Sequence, residues 1–223
     1  MSYVDPIYEP AIFDGADAGQ RLSVLGLDFG VLQEALDAGD IAARQPGKYH
    51  PTMAPGVERW LETVGRLREL LAARGWTSDD TRNVPRALSP DGLVALGVMS
   101  GTAAVGRAGF TPQAAHRRGP ATQRAVDINQ SMFEQLELNV EVLLADMAAE
   151  RNAQRQSWFL LYHRELAGEL RAEVSLPTAM DNGRVLRWKE RIILPTIQFE
   201  PVVTPLVEGD NGDDEQSFEI RAL

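Results

Sequence analysis

Residues 158–195 read WFLLYHRELAGELRAEVSLPTAMDNGRVLRWKERIILP, and three strand-like runs share this stretch. Trp158 to Tyr162 is aromatic and aliphatic. Leu170 to Leu176 alternates, with Leu170, Ala172, Val174 and Leu176 set against Arg171, Glu173 and Ser175. Val185 to Leu194 resumes after Asp181, Asn182 and Gly183. Asn-Gly between two such runs is a strong hairpin signal, because both central turn positions need positive φ. A period of two with charges on alternate positions predicts an antiparallel sheet with one apolar and one wet face.

Composition bounds what surrounds this sheet. A chain of 223 residues without cysteine can bury one sizeable core and has no disulfide or thiolate metal site. There is no run of eighteen apolar residues, and the first residues lack the basic start and apolar stretch of a signal peptide. The expectation is a soluble, cytoplasmic chain with no membrane contact. The net charge of −10 is uneven. Residues 1–54 carry eight acids and three bases, residues 200–223 seven and one, and residues 55–199 seventeen and eighteen. Acidic ends on a near-neutral body disfavour nucleic-acid binding by the whole surface.

The chain is expected to divide into an extended arm over 1–24, a single domain over 25–199 and an acidic arm over 200–223. Asp28 reads as the N-cap of a helix from Phe29 to about Arg44, with Phe29, Leu32 and Leu36 on one side. A second helix runs from Pro55 to Gly75, where Val57, Trp60, Leu61, Val64, Leu67 and Leu71 follow helical spacing as the face on the sheet. Asn83 to Leu88 and Leu93 to Met99 read as strands joined by Ser89, Pro90, Asp91 and Gly92, since proline presets φ and glycine accepts the left-handed position. The fold class is therefore α+β, an antiparallel sheet of about five strands with helices mainly on one face.

Between the two groups of strands lies a glycine- and proline-rich segment, Ser100 to Gly119, read as a long loop. From Gly92 to Val126 it is free of acids and contains Arg107, His116, Arg117, Arg118 and Arg124. A helical pattern follows from Thr122 to about Gln156. Val126, Phe133, Val140 and Met147 recur every seven residues, with Leu136 and Leu143 on a second seam and Asn129 where another seam residue would fall. About three heptads permit a coiled coil with Asn129 as a register device, or a single helix packed on its own sheet. The last residues, with Phe218 and Ile220 in apolar and polar alternation, suit either a partner-docking strand or a frayed end.

Motifs for catalysis fail at their chemical positions. Gly101 to Ala108 has the glycine spacing of a phosphate loop, but Arg107 and Ala108 stand where lysine and a metal-binding hydroxyl are needed. Ser100 is one residue out of register for a nucleophile elbow. His50, His116 and His163 lie in separate elements without a second ligand at metal spacing. Asp91, Glu173, Glu190 and Lys189 are what a metal-dependent nuclease could draft, but Glu173 belongs to the alternating charged face, which solvent explains. No catalytic residue, metal or cofactor is assigned. Two clusters remain, the pair His163 and Arg164 and the anion-binding set Arg107, His116, Arg117, Arg118 and Arg124 beside a helix start.

The succession of the Trp60 to Trp76 helix, Ser89 to Val98, Arg118 to Val126, Trp158 to Glu165 and Arg171 to Leu194 resembles a group of uncharacterised bacterial proteins often met on mobile elements. The resemblance spans about 55–195 and implies no activity. The leading expectation is a non-enzymatic interaction protein, an accessory or structural subunit of a homo- or hetero-oligomeric assembly. Its interface would be Val126, Asn129, Phe133, Leu136, Val140, Leu143 and Met147, with Phe218 and Ile220. The alternatives are a module binding an anionic ligand or nucleic acid through the loop 107–124 and, behind it, the nuclease-like enzyme.

Overall fold

The computed structural model describes residues 9–136 and 155–199. Their order is β1 (Ala11–Phe13), α1 (Gly15–Val24), α2 (Phe29–Ala42), α3 (Ala54–Ala72), β2 (Thr77–Asp79), a 3-10 turn (Thr81–Asn83), β3 (Arg86–Leu88), β4 (Val94–Ser100), α4 (Pro120–Leu136), β5 (Gln156–Arg164), β6 (Glu169–Asp181), β7 (Arg184–Ile193) and β8 (Ile197–Gln198). The fold is α+β, but the sheet has eight strands and is mixed. Its order is β1-β7-β6-β5-β4-β3-β2, with β8 on β6. β1 joins β7 and β4 joins β5 in parallel, and the other pairs are antiparallel. The five-strand count failed because β1, β2 and β8 are only two or three residues long, too short to show a period, and the all-antiparallel expectation failed because β4 and β5 pair in parallel across the segment that contains α4.

The hairpin at the centre forms as its turn chemistry dictates. Asn182 and Gly183 both take positive φ, and a side chain at Gly183 would meet the carbonyl oxygen of Arg118 at 2.7 Å. Register shifts between Leu176 and Met180 place Pro177 in an irregularity of β6, where a residue without an N–H is tolerated. The bulged β6–β7 ribbon carries Gly183 to Arg118, whose N–H donates to the Gly183 carbonyl at 3.0 Å.

One face of the sheet holds the main core. Trp158, Leu160 and Tyr162 of β5 and Leu170, Ala172, Val174 and Leu176 of β6 pack against Ala18 and Leu22 of α1, Leu32 and Leu36 of α2, and Leu67 and Leu71 of α3. Residues 11–24, expected as an arm, thus supply a strand and a helix to the domain. Asp28 caps α2 by accepting from the Val31 N–H at 3.0 Å. α2 and α3 cross closely at Gly39, where a Cβ would stand 2.1 Å from Thr63 Oγ1 and 2.7 Å from the Arg59 carbonyl oxygen. The apolar face of α3 is shorter than its spacing implies: Trp60 packs against the core, but Val57 and Leu61 are 39% and 50% exposed, and the buried residues begin at Thr63 and Val64.

The opposite face is not wet. Met99, Phe159, Leu161, Val185 and Trp188 form a second cluster with Val105, and Arg171, Glu173, Ser175 and Arg191 are all buried among them. The segment 101–119 and α4 cover this face. Val126 and Asn129 of α4 are fully buried. Asn129 Nδ2 donates to the carbonyls of Ser157 and Pro177 at 3.0 and 2.8 Å, and its Oδ1 accepts from the Ser157 N–H at 2.8 Å. Neither residue is a seam toward a partner helix; α4 is a helix on its own sheet. Phe133 and Leu136 belong to α4, but their side chains, like Val140, Leu143, Met147, Phe218 and Ile220 altogether, lie outside the described residues. The helix pattern expected up to Gln156 ends sooner, since Gln156 opens β5. Among the described residues no helix is long and apolar enough to cross a membrane.

Candidate anion-binding cleft

The basic segment 101–119 is a built part of the structure, and sheet side chains hold it by its carbonyls. Arg171 donates from Nε to the Val105 carbonyl at 3.0 Å and from one terminal nitrogen to the Ala103 carbonyl at 2.9 Å. Arg191 donates to the carbonyls of Phe110 and Arg107 at 2.7 and 3.2 Å, and Trp188 Nε1 to that of Pro112 at 3.0 Å. Glu173, fully buried, accepts from Arg191, from Ser175 Oγ at 2.7 Å and from the Gly106 N–H at 2.9 Å. These charges are buried because each meets several partners, which offsets the cost of leaving water. The solvent explanation for the charged face of β6 is thereby corrected: alternation shows which side a residue takes, not what later covers that side.

The expected anion-binding set is dispersed by this packing. Arg107 faces Glu165, 4.0 Å away, and the ring of Phe110. Arg117 and Arg118 pass beneath Gly183, and burial pushes the Arg118 guanidinium below its ordinary pKa. His116 is exposed. Of the pair His163 and Arg164, the first meets the Gly101 carbonyl at 2.9 Å through Nδ1. The second binds Asp40 at 2.8 Å, beside Arg44 and Arg59 on the same carboxylate. The acids a nuclease would need are apart as well: Asp91 accepts from Ser89 and the Leu93 N–H, Glu190 pairs with Arg21, and Glu173 is occupied as above. Among the described residues no group of three metal-ligating side chains converges.

Arg124, exposed like Arg107, His116 and Arg117, stands on the first turns of α4. It lines a cleft of about 470 Å³ between the first turns of α4 and the edge formed by β2 and β3, with Arg155 and Ser157 at its base. Arg86 and Ser78 enter from the edge strands, Thr81 from the 3-10 turn between them, and Ala125 and Ile128 from the helix. Strand alternation explains the gathering. Arg86 and Leu88 point away from Ala87, which belongs to the main core, and so share the α4 face with Ser157.

Electrostatically the cleft has an excess of cations. The one acid among its described lining residues, Asp79, is tied to Arg86 and accepts from the Thr81 N–H at 3.0 Å. Burial opposes its ionisation, yet the bonds from Thr81 and the Arg86 charge hold its carboxyl below the usual carboxylate value. That pair neutralises itself. Arg155 anchors its Nε on the Gly92 carbonyl at 2.9 Å, and neither it nor Arg124 meets a carboxylate among the described residues. The cleft also sits at the N-terminal end of α4, where the helix dipole favours negative charge. Arg124 could be nominated from sequence because it lies in an acid-free stretch. Arg86 and Arg155 could not, because each stands among ordinary surface charges until the sheet is assembled. Compared with known protein families, curated proteins and solved structures, the chain matches none.

Proposed function

We propose that this chain is a non-enzymatic interaction protein that holds an acidic protein segment in the α4 cleft. The observation that carries the reading is the pair Arg124 and Arg155, two guanidiniums on an open cleft of about 470 Å³ without carboxylate partners among the described residues. Arginine forks match carboxylates in two-point geometry. An extended peptide can lie between the strand edge and the helix, where Ile128 and Leu88 give its apolar side chains a surface. A single-stranded nucleic acid suits the cleft less well. Among the described residues its lining contains no aromatic side chain on which bases could stack, and the net charge of −10 repels a long polyanion.

The test is a fluorescence-anisotropy titration of the full chain with a labelled hexaglutamate peptide at low and high salt. Binding should weaken with salt and fall about fivefold when Arg124 and Arg155 are both replaced by Ala, as expected for two exposed charge pairs of about 0.5 kcal/mol each. Equal binding by the double variant would discard the cleft. Tighter binding of a single-stranded oligonucleotide than of the peptide would replace the ligand class.

A further inference from the structure

The acidic segment has a candidate within the chain. Residues 208–219 contain Glu208, Asp210, Asp213, Asp214, Glu215 and Glu219 and no basic residue, whereas the cleft presents Arg124 and Arg155 without a carboxylate partner among the described residues. We infer that residues 208–219 of one copy dock in the α4 cleft of a second copy, joining chains head to tail. The inference rests on the proposed function of the cleft and names its occupant.

Sheet geometry favours a second copy over the same one. The described chain ends at Phe199, whose N–H donates to the Gly168 carbonyl at 2.8 Å and whose ring lies 5.3 Å from the Arg164 guanidinium. Arg164 closes β5, and Ser157, at the base of the cleft, lies near its start. Seven residues of strand separate the two levels by roughly 23 Å at ~3.3 Å per residue. Across the sheet, β8 and β3 are four strand spacings apart, roughly 19 Å at ~4.8 Å each. The straight line between them is roughly 30 Å and passes through the sheet, for Phe199 packs on the α1–α3 face and the cleft opens on the α4 face. Residues 200–207, drawn fully taut, span about 30 Å. Docking within one copy would therefore have to stretch the spacer around the sheet, whereas docking on a neighbour carries no such tether. The contact joins two different surfaces, so it closes into rings or grows with concentration.

Solution mass by light scattering, on the full chain, tests this. The mass average should rise with concentration at low salt. It should return to the 24.5 kDa of one chain at about 1 M salt, where the Debye length is about 3 Å. Two full-length variants separate the partners. One carries Asp210→Asn, Asp213→Asn, Asp214→Asn and Glu215→Gln; the other carries Arg124→Ala and Arg155→Ala. Each alone should stay a monomer with an unchanged circular dichroism spectrum. Mixed in equal amounts they should form a two-chain complex, because one contributes an intact cleft and the other an intact acidic segment. A wild-type chain that is monomeric at every concentration overturns the inference. If the acid-neutralised monomer also binds hexaglutamate more tightly than wild type does, the segment docks within its own copy instead. Hexaglutamate binding that depends on the two arginines leaves the cleft's proposed function standing in either case, and its absence removes both.

Discussion

Glu173 and Arg191 stand on adjacent strands in diagonal positions, Glu173 opposite Ile193 and Arg191 opposite Ser175, and form a buried two-point ion pair. Arg191 donates from Nε to Oε1 at 3.0 Å and from a terminal nitrogen to Oε2 at 2.6 Å. The pair joins the sheet to the segment above it, since Glu173 also holds Gly106 and Arg191 holds Phe110. Replacing either residue by Ala should destabilise the fold by about 3–5 kcal/mol, because the survivor is a buried charge without its counterion. Replacing both with apolar residues of similar volume should cost less than the sum of the single changes. Urea denaturation of the three variants measures this directly.

Asn129 fastens α4 to the start of β5 and to the irregular part of β6 through three hydrogen bonds. Asn129→Ala leaves the Ser157 N–H without its acceptor in a buried place, which costs about 1–3 kcal/mol. The expected result is a lower melting temperature at unchanged solution mass. A changed mass with unchanged stability would return Asn129 to an intermolecular seam.

Gly39 is required by the approach of α2 and α3, not by its own backbone. Gly39→Ala should destabilise by about 1–3 kcal/mol through overpacking. Adding Thr63→Ala should recover only part of the loss, since the Arg59 carbonyl oxygen would still lie 2.7 Å from the new methyl. Thermal unfolding of the single and double variants would show it.

Acid stability should depend on Asp40. Burial opposes its ionisation, but hydrogen bonds from Arg164 and Arg44, with the Arg164 and Arg59 charges, hold its carboxyl below the usual carboxylate value. The folded value lies under the unfolded one, so the stabilisation is complete above the ordinary carboxylate pKa of about 3.9 and is lost as pH falls through the depressed value. Asp40→Asn should therefore flatten the acid limb of the stability curve while lowering stability at neutral pH. Asp28, Asp79, Asp91 and Glu165 are depressed too, so part of the limb should remain. Urea midpoints between pH 2 and 7 are the measurement, and parallel curves for the two proteins would contradict this role.

The features legible before folding are local ones. Asn182 and Gly183 specify their turn because few residues accept positive φ. Asp28 specifies a helix start because its carboxylate can satisfy an N–H that the helix leaves free, and the alternation from Leu170 to Leu176 assigns each side chain to a face. The remainder depends on contacts distant along the chain. The parallel pairing of β4 with β5 sets Val94 against Gln156, across a segment that contains α4. The covering of the second sheet face makes Arg171, Glu173 and Arg191 interior residues instead of solvated ones. The same long-range assembly sends Arg107, Arg118 and Arg124 to different neighbours and brings Arg124 beside Arg155 and Arg86. The cleft has no local signature because its charges come from separate elements, and their sum is set by which strands lie side by side.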